Sequence, residues 1–543
     1  MTHSLHPSTS LRHSDMLLSK VRADSSCLKQ AIYETRYSLL RKGIYPPMER
    51  LRRVVNNTLI SLLGQSITWT STLLLTIAYG RFLGDVKFGE LYFALTFVLL
   101  IGVPLEYSFD QQATRDVAQE PSLARRYFSN ILLMKGGLWL VLYSVTLLAC
   151  RLLGYSAEEQ VLVAISGLTL LGGSISNTAG SLHYAFERAF LPVIGSILEK
   201  GLAALFGILL LRQGAGVQVM ALVLLGGALV SAIWQVAWFF RLVGVTFVLD
   251  VALMRALLRT SIPFLIYGVL GVIYYRIDTV LLSLMATTAA VGWYGAGYRL
   301  FDALSFLPGL LNPIMFPIFS RLATTSEAGL RLAVEKTLNF LLFFAVPIST
   351  GLIVVAPNIV SFLYQRPEFN HTIPALQALA PGLVLLYINT VLGTILVSMK
   401  REKRIPIMAA IALVFNLGLN FVMIPRYEHV GAAIVTSLTE FLLLCLSLMF
   451  TPRQLLPLGS LRVGIKAVIA SFVMTLAIWF LPSLNVFIIL SIASLVYFGA
   501  ATLLCTIPRE DIQALYRAIR YKTQPISPAA LAHQTAEEFE EVP

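Results

Sequence analysis

The chain carries about fourteen stretches of some 20 apolar residues, the length a helix needs to cross the ~30 Å hydrocarbon core of a bilayer. In lipid every backbone N–H and C=O has to be paired within the protein, so apolar runs of this length fold as helices. They fall near residues 56–80, 88–108, 129–150, 160–184, 190–211, 216–240, 261–285, 291–318, 337–357, 374–398, 405–425, 430–450, 463–482 and 485–507. Such a pattern specifies an all-α polytopic membrane protein. Composition excludes the alternative of several soluble domains in 543 residues: 57% of the chain is hydrophobic and only 13% charged.

A net charge of +12 would by itself suit a nucleic-acid binder, but Lys and Arg are concentrated in the tails and in the connections between runs. Connections following even-numbered runs, with their margins, hold 17 of these cations and those following odd-numbered runs hold 6. The asymmetry places the even connections and both termini in the cytoplasm, with the basic residues facing anionic lipid and no role in binding nucleic acid. Residues 1–54 carry ten basic residues from Arg12 to Arg53 and no early apolar core, which reads as a cytoplasmic tail and not a signal peptide. Residues 508–543 form a second cytoplasmic tail, ending in the acidic cluster Glu537, Glu538, Glu540 and Glu541. Cys27, Cys150, Cys445 and Cys505 lie far apart, which argues against a disulfide framework or a thiolate metal site.

Two correspondences point to an internal repeat. Phe88, Gly89 and Tyr92 open the second run much as Val291, Gly292 and Tyr294 open the eighth, and Glu187-Arg188 leads to Pro192 as Lys403-Arg404 leads to Pro406. Both pairs are offset by about six runs, an even number, which makes the repeats parallel about an axis along the membrane normal. The expected organisation is two six-helix lobes, 55–240 and 261–450, joined by a cytoplasmic linker at 241–260 and followed by an appended pair of helices within 451–507.

From the seventh run onward the residues resemble a known family. The stretch Tyr275-Arg276-Ile277-Asp278-Thr279-Val280 is followed by Val291-Gly292-Trp293-Tyr294-Gly295-Ala296-Gly297-Tyr298-Arg299, then by Phe316-Pro317-Ile318-Phe319-Ser320-Arg321. Asn416-Leu417-Gly418-Leu419-Asn420 and Gly431-Ala432-Ala433-Ile434-Val435-Thr436 come later. In order and spacing these are similar to the polysaccharide transporter family, the Wzx-type O-antigen and exopolysaccharide flippases of the MOP superfamily, which also holds MATE antiporters and lipid II flippases. The resemblance implies alternating access that carries an undecaprenyl-diphosphate-linked oligosaccharide across a bacterial inner membrane. It also implies membrane lipids and the polymerase and glycosyltransferases of the same pathway as partners.

A charge near the bilayer centre costs several kcal/mol unless it meets water or a partner, so ionisable residues inside the runs are the candidate site. Arg299, Arg276, Lys200 and Lys135 are the candidate counter-charges for a substrate diphosphate, Arg being suited to bidentate contact with phosphate. Lys135 lies near enough to the end of its run to act instead as an interface anchor. Asp278 and Asp302 are the candidate ion-coupling carboxylates. Arg299 and Asp302 are three residues apart, the spacing of a local ion pair, whereas Arg276 and Asp278 are two apart and point to different sides. Tyr274, Tyr275, Tyr294 and Tyr298 offer rings to sugars or simply pack, and Pro104, Pro263, Pro308, Pro313 and Pro317 are candidate hinges.

Other classes fit less well. A polytopic glycosyltransferase or polymerase needs acids on a sizeable external segment, and the longest such connection, 358–373, offers Glu368 and His371; Asp85 and Glu90 read as solvated turn residues. His183, His371 and His429 lack metal-ligand spacing, and without a Gly-Lys dipeptide there is no phosphate-binding loop, so neither metal nor cofactor is expected. A MATE-like antiporter would share the fold with twelve spans, and the appended pair argues for the flippase side. A channel or scaffold subunit is less consistent with charged residues inside the spans.

Overall fold

A computed structural model of the chain describes residues 47–106, 109–457, 459–479, 481 and 485–506; the two tails read from the sequence lie mainly outside the described residues. The chain divides into two units, Met1–Leu63 and Gly64–Pro543. In the first, residues 47–63 are helical, and the second holds the charged residues of the candidate site.

The described helices are α1 (Pro47–Glu106), α2 (Phe109–Gln119), α3 (Ala124–Leu152), α4 (Ala157–Ala185), α5 (Phe190–Arg212), α6 (Val217–Val243), α7 (Val251–Met285), α8 (Thr288–Leu304), α9 (Phe306–Thr325), α10 (Glu327–Tyr364), α11 (Thr372–Ser398), α12 (Arg404–Phe450), α13 (Ser460–Trp479) and α14 (Val486–Leu503). Twelve segments are long and apolar enough to cross a membrane. Two of them, Asn56–Leu105 with 50 residues and Arg404–Phe450 with 47, are too long for one crossing at 1.5 Å per residue. Each is broken by a residue with positive φ, Gly84 (φ 82°) and Glu428 (φ 46°), and so supplies two crossings. With α8 and α9 forming one crossing, the described chain holds fourteen, matching the apolar runs in order.

The helices fall into two packing groups. Among α2–α6, α4 packs on α3, α2 and α6, and α5 on α6; among α7–α12, α11 packs on α10, α12, α8 and α9, and α7 on α12. The last pair, α13 and α14, attaches through α10. The 358–373 connection is shorter than its apolar boundary suggests, since α10 continues to Tyr364 and a short 3-10 turn spans Pro367–His371.

Proline placement shows how the second group satisfies its backbone. A proline has no N–H for the carbonyl four residues before it, and lipid offers no substitute donor. Ahead of Pro308 the Leu304 carbonyl accepts from the Tyr387 hydroxyl at 2.6 Å, at the break between α8 and α9. Ahead of Pro347 the Phe343 carbonyl accepts from Tyr497 at 2.6 Å, which ties α14 to α10. Ahead of Pro357 the Ile353 carbonyl accepts from the Gln377 side-chain amide at 2.8 Å. In each case a neighbouring helix provides the missing donor.

The first group also holds α1, with Gly102 against Leu170 of α4 and Leu75 against Gly207 of α5, and between the groups runs a seam, closed at the face made by connections after odd-numbered crossings. A Cβ built on Gly89 would lie 2.2 Å from the Thr288 carbonyl oxygen, and one on Gly292 would lie 2.2 Å from that of Asp85. One offset carries Asp85 to Thr288, Gly89 to Gly292 and Tyr92 to Gly295, so the contact is reciprocal, as two-fold symmetry requires of a contact on its axis. Tyr92 lies against Gly295, where a Cβ would come within 2.5 Å of the ring. Two arginines clasp the same face: Arg81 donates to the carbonyls of Leu363 (2.5 Å) and Phe362 (2.8 Å), and Arg366 donates to those of Arg81 (2.7 Å) and Phe82 (3.3 Å). Each cation thus meets the carbonyl-rich end of the other group's helix, the end that favours positive charge.

Asp85, read from sequence as a solvated turn residue, instead accepts from the Trp293 indole across the seam at 3.0 Å. Glu90 is buried and pairs with Lys87 at 3.0 Å. Tyr155 and Ser283 add a cross-seam hydroxyl contact of 2.7 Å.

A side chain larger than hydrogen cannot fit where backbone meets backbone. In a chain whose four native cysteines are replaced, Ala296→Cys, at a fully buried position, should resist a membrane-impermeant maleimide added at the odd face. It should react once Gly292→Leu is introduced; continued protection in a folded double variant would show that the glycine contact does not hold the seam shut.

Candidate functional site

The helical hairpin of α7 and α8 carries four of the six candidate residues and joins two of them, Arg276 and Asp302. The Arg276 guanidinium donates to the Asp302 carboxylate at 2.9 Å, with both side chains about one-fifth exposed. It also lies 5.2 Å from the Tyr275 ring and 5.0 Å from the Tyr298 ring, within range of cation–π attraction. Tyr298 in turn donates to the Tyr275 carbonyl at 3.2 Å, fixing the aromatic wall behind the arginine.

The local Arg299–Asp302 pair suggested by their spacing is not formed. Asp302 is taken by Arg276 from the facing helix, and Arg299, half-buried, stands 5.4 Å over the Tyr92 ring from the other side of the seam. Among the described residues Arg299 has no carboxylate partner. The Tyr92 hydroxyl, also buried, has no hydrogen-bond partner there either. A half-buried cation beside an orphaned hydroxyl leaves polar capacity for an anionic or hydroxylated ligand.

Asp278 faces away from Arg276, into the second helix group. It is almost fully buried and accepts from the Tyr294 hydroxyl, the Thr436 hydroxyl (3.0 Å) and the Thr279 amide (3.1 Å). Tyr294 and Tyr298 are buried completely, so they act as packing and hydrogen-bonding residues; Tyr275 is the more accessible ring.

The remaining two cations are paired within the first group. Lys135 does not reach for the membrane surface: only 2% of its side chain is exposed, and its ammonium donates to Asp110 at 2.7 Å. The other Asp110 oxygen accepts from Thr178 at 3.0 Å. Lys200 pairs with Glu199 at 2.6 Å and is exposed near the middle of α5. Its pairing with Glu199 offsets part of the cost of a charge at that position in the span.

Several polar residues of the interior escape a reading by hydropathy. Asp110 lies on α2, a short amphipathic helix with no apolar run to mark it. Glu440 is nearly fully buried on α12 with Asn389 donating to it at 2.9 Å, and Asn416 donates to Thr439 at 3.3 Å while Asn420 donates to Asn416 at 2.9 Å. A lone carboxylate inside an apolar run was the signal for Glu440.

Two packed groups of long apolar helices, with paired charges inside them, make this an all-α multi-pass membrane protein. A lipid II flippase, MurJ, in an inward closed conformation, has the same fold, with TM-score 0.67 and 16% identity over 82% of this chain and 98% of that one. An inward-facing multidrug resistance MATE transporter of the MOP superfamily also shares it, with TM-score 0.62 and 14% identity over 72% of this chain and 97% of that one. Residues 54–323 match the pattern of the polysaccharide biosynthesis protein family. The protein named probable low-salt glycan biosynthesis flippase Agl15, from Haloferax volcanii, is 20% identical over 66% of this chain and 75% of its own length. An uncharacterised membrane protein of Methanocaldococcus jannaschii is 24% identical over 45% of this chain, and that match spans 50% of the relative's length.

Removing one member of a buried ion pair strands the other and typically costs about 3–5 kcal/mol. Lys135→Ala or Asp110→Ala should therefore lower the melting temperature in detergent clearly, and Lys135→Met combined with Asp110→Leu should recover most of the loss. Single variants that melt like the parent would show that the pair is not structural.

Proposed function

We propose that this protein is a flippase that moves a lipid-linked glycan across a membrane for polysaccharide biosynthesis. The match to the polysaccharide biosynthesis protein family supports a role in polysaccharide biosynthesis, and the name of the Haloferax relative supports glycan flipping. The observation that carries the reading is Arg299, a cation held at the seam without a carboxylate while Lys135, Lys200 and Arg276 each have one. An anionic head group entering between the groups completes the coordination that the protein leaves open.

In the finer form of the proposal the substrate is an undecaprenyl-diphosphate-linked oligosaccharide in a bacterial inner membrane, of the O-antigen or exopolysaccharide kind, with even connections and both termini cytoplasmic. Arg299 takes the phosphate first. Arg276 joins it by exchanging Asp302 for a phosphate oxygen, and Tyr275 offers a ring to the first sugar. Lys200 lies within a crossing of the other group and draws the anion onward, while Lys135 is committed to Asp110. The closed odd face separates the site from the far side until the Gly89–Gly292 contact and the arginine clasp part. Asp278, held by three donors, is the candidate site for a coupling proton or sodium ion, and Asp302 contributes by the charge it releases. The polymerase and glycosyltransferases of the same pathway are the partners this scheme implies.

A charge-assisted hydrogen bond contributes about 1.5–3 kcal/mol, or roughly 10- to 100-fold in transport. Arg299→Ala should lower surface-polysaccharide complementation by about that factor at normal expression, and Arg299→Lys should keep part of it. A fully active Ala variant would remove Arg299 from the site.

A further inference from the structure

The connection between the two helix groups has a feature that transport of a head group does not use. Residues 244–250 leave α6 at Gly244 (φ 84°) and run without helix to the start of α7. They are hydrogen-bonded along one side to the first turns of α3. Arg125 donates to the Val243 carbonyl at 2.6 Å, Val248 N–H donates to the Ser129 hydroxyl at 3.3 Å, and Asn130 donates to the Val248 carbonyl while accepting from the Asp250 amide, both at 2.8 Å. Asn130 is fully buried, and Arg126 pairs with Asp250. The Asp250 carboxyl is held below its usual range, chiefly by the Leu253 amide and further by Arg126, so it stays ionised and caps α7.

In an extended chain alternate side chains share a face. Here that face is Val245, Phe247 and Leu249, exposed by 78, 63 and 59%, and Val251, the first residue of α7, continues the row at 67% exposure. Four large apolar side chains in a row on a segment pinned from behind are costly in water. The row runs on to Leu258, Ile262 and Ile266 of α7, which are also exposed and lead into the apolar stretch that begins at Gly268. Around it stand Arg241, at the end of α6, and Arg255 and Arg259, on the first turns of α7, all exposed and none paired with a carboxylate among the described residues.

We infer that residues 245–251 are a membrane anchor, a strap lying in the bilayer interface with its apolar row among the upper acyl carbons and its arginines on anionic head groups. An apolar face fringed by arginine, continuous with a lipid-facing helix, has the chemistry of an interfacial segment. The strap fixes the first group's end of the connection at the membrane surface, so α7 swings from a point that lipid holds in place.

The test uses the full-length chain in nanodiscs, with native cysteines replaced and bimane attached at Phe247→Cys, or at Leu249→Cys should the first variant fold poorly. The probe should emit at short wavelength and be quenched by phospholipids brominated near the top of the acyl chain. A control probe at Glu327→Cys, an exposed residue after the eighth crossing, should be quenched only by aqueous iodide. Quenching at 247 should be stronger with phosphatidylglycerol than in neutral bilayers, and Arg255→Gln with Arg259→Gln should abolish that difference. Quenching by iodide alone, or by neither agent because a protein segment covers the row, would overturn the proposal; equal quenching in the two lipids would overturn its head-group half.

Discussion

Where Gly89 meets Gly292 the two helix groups touch backbone to backbone, each glycine facing the carbonyl of the residue that opens the other's helix. A contact made of main chain has no side-chain rotamer to adjust, so the groups are either seated there or apart. The surrounding interactions inherit that property. The Arg81 and Arg366 clasp, the Asp85–Trp293 hydrogen bond and the Tyr92 ring under Arg299 all sit where the seam is closed. A device with two discrete arrangements is what alternating access requires, and packed interfaces supply it because they do not deform continuously.

Charge inside the membrane obeys a stricter rule than charge at a surface. Lys135, Arg276 and Lys200 each carry a carboxylate with them, and the cost of placing them at depth is partly offset by those partners. The same rule extends to the backbone, where Tyr387, Tyr497 and Gln377 stand in for the N–H groups that three prolines lack. Arg299 and the Tyr92 hydroxyl are open toward the seam.

Hydropathy alone makes the fold legible, since period and length of the apolar runs carry the order of the crossings, and a glycine repeat marks the symmetric contact. Hydropathy does not show where a long helix breaks, as at Glu428, because the broken and unbroken chains are equally apolar. The site is legible in its members and illegible in its pairing. Spacing along one helix suggests Arg299 with Asp302, yet Arg276 reaches Asp302 from the facing helix, and such tertiary geometry has no local signature. Lys135 reads equally well as an interface anchor until α2 brings Asp110 to it from 25 residues away. The linker at 241–260 divides differently from its polarity: α7 already begins at Val251, where Asp250 caps it.

The proposed passage of a lipid-linked glycan through this protein has one immediate consequence in the cell, the leaflet in which lipid-linked oligosaccharide resides. In cells depleted of the protein, that lipid should accumulate in the cytoplasmic leaflet and be lost from the outer one. An unchanged distribution, with altered sensitivity to cationic drugs instead, would contradict glycan flipping and turn the same fold toward drug antiport.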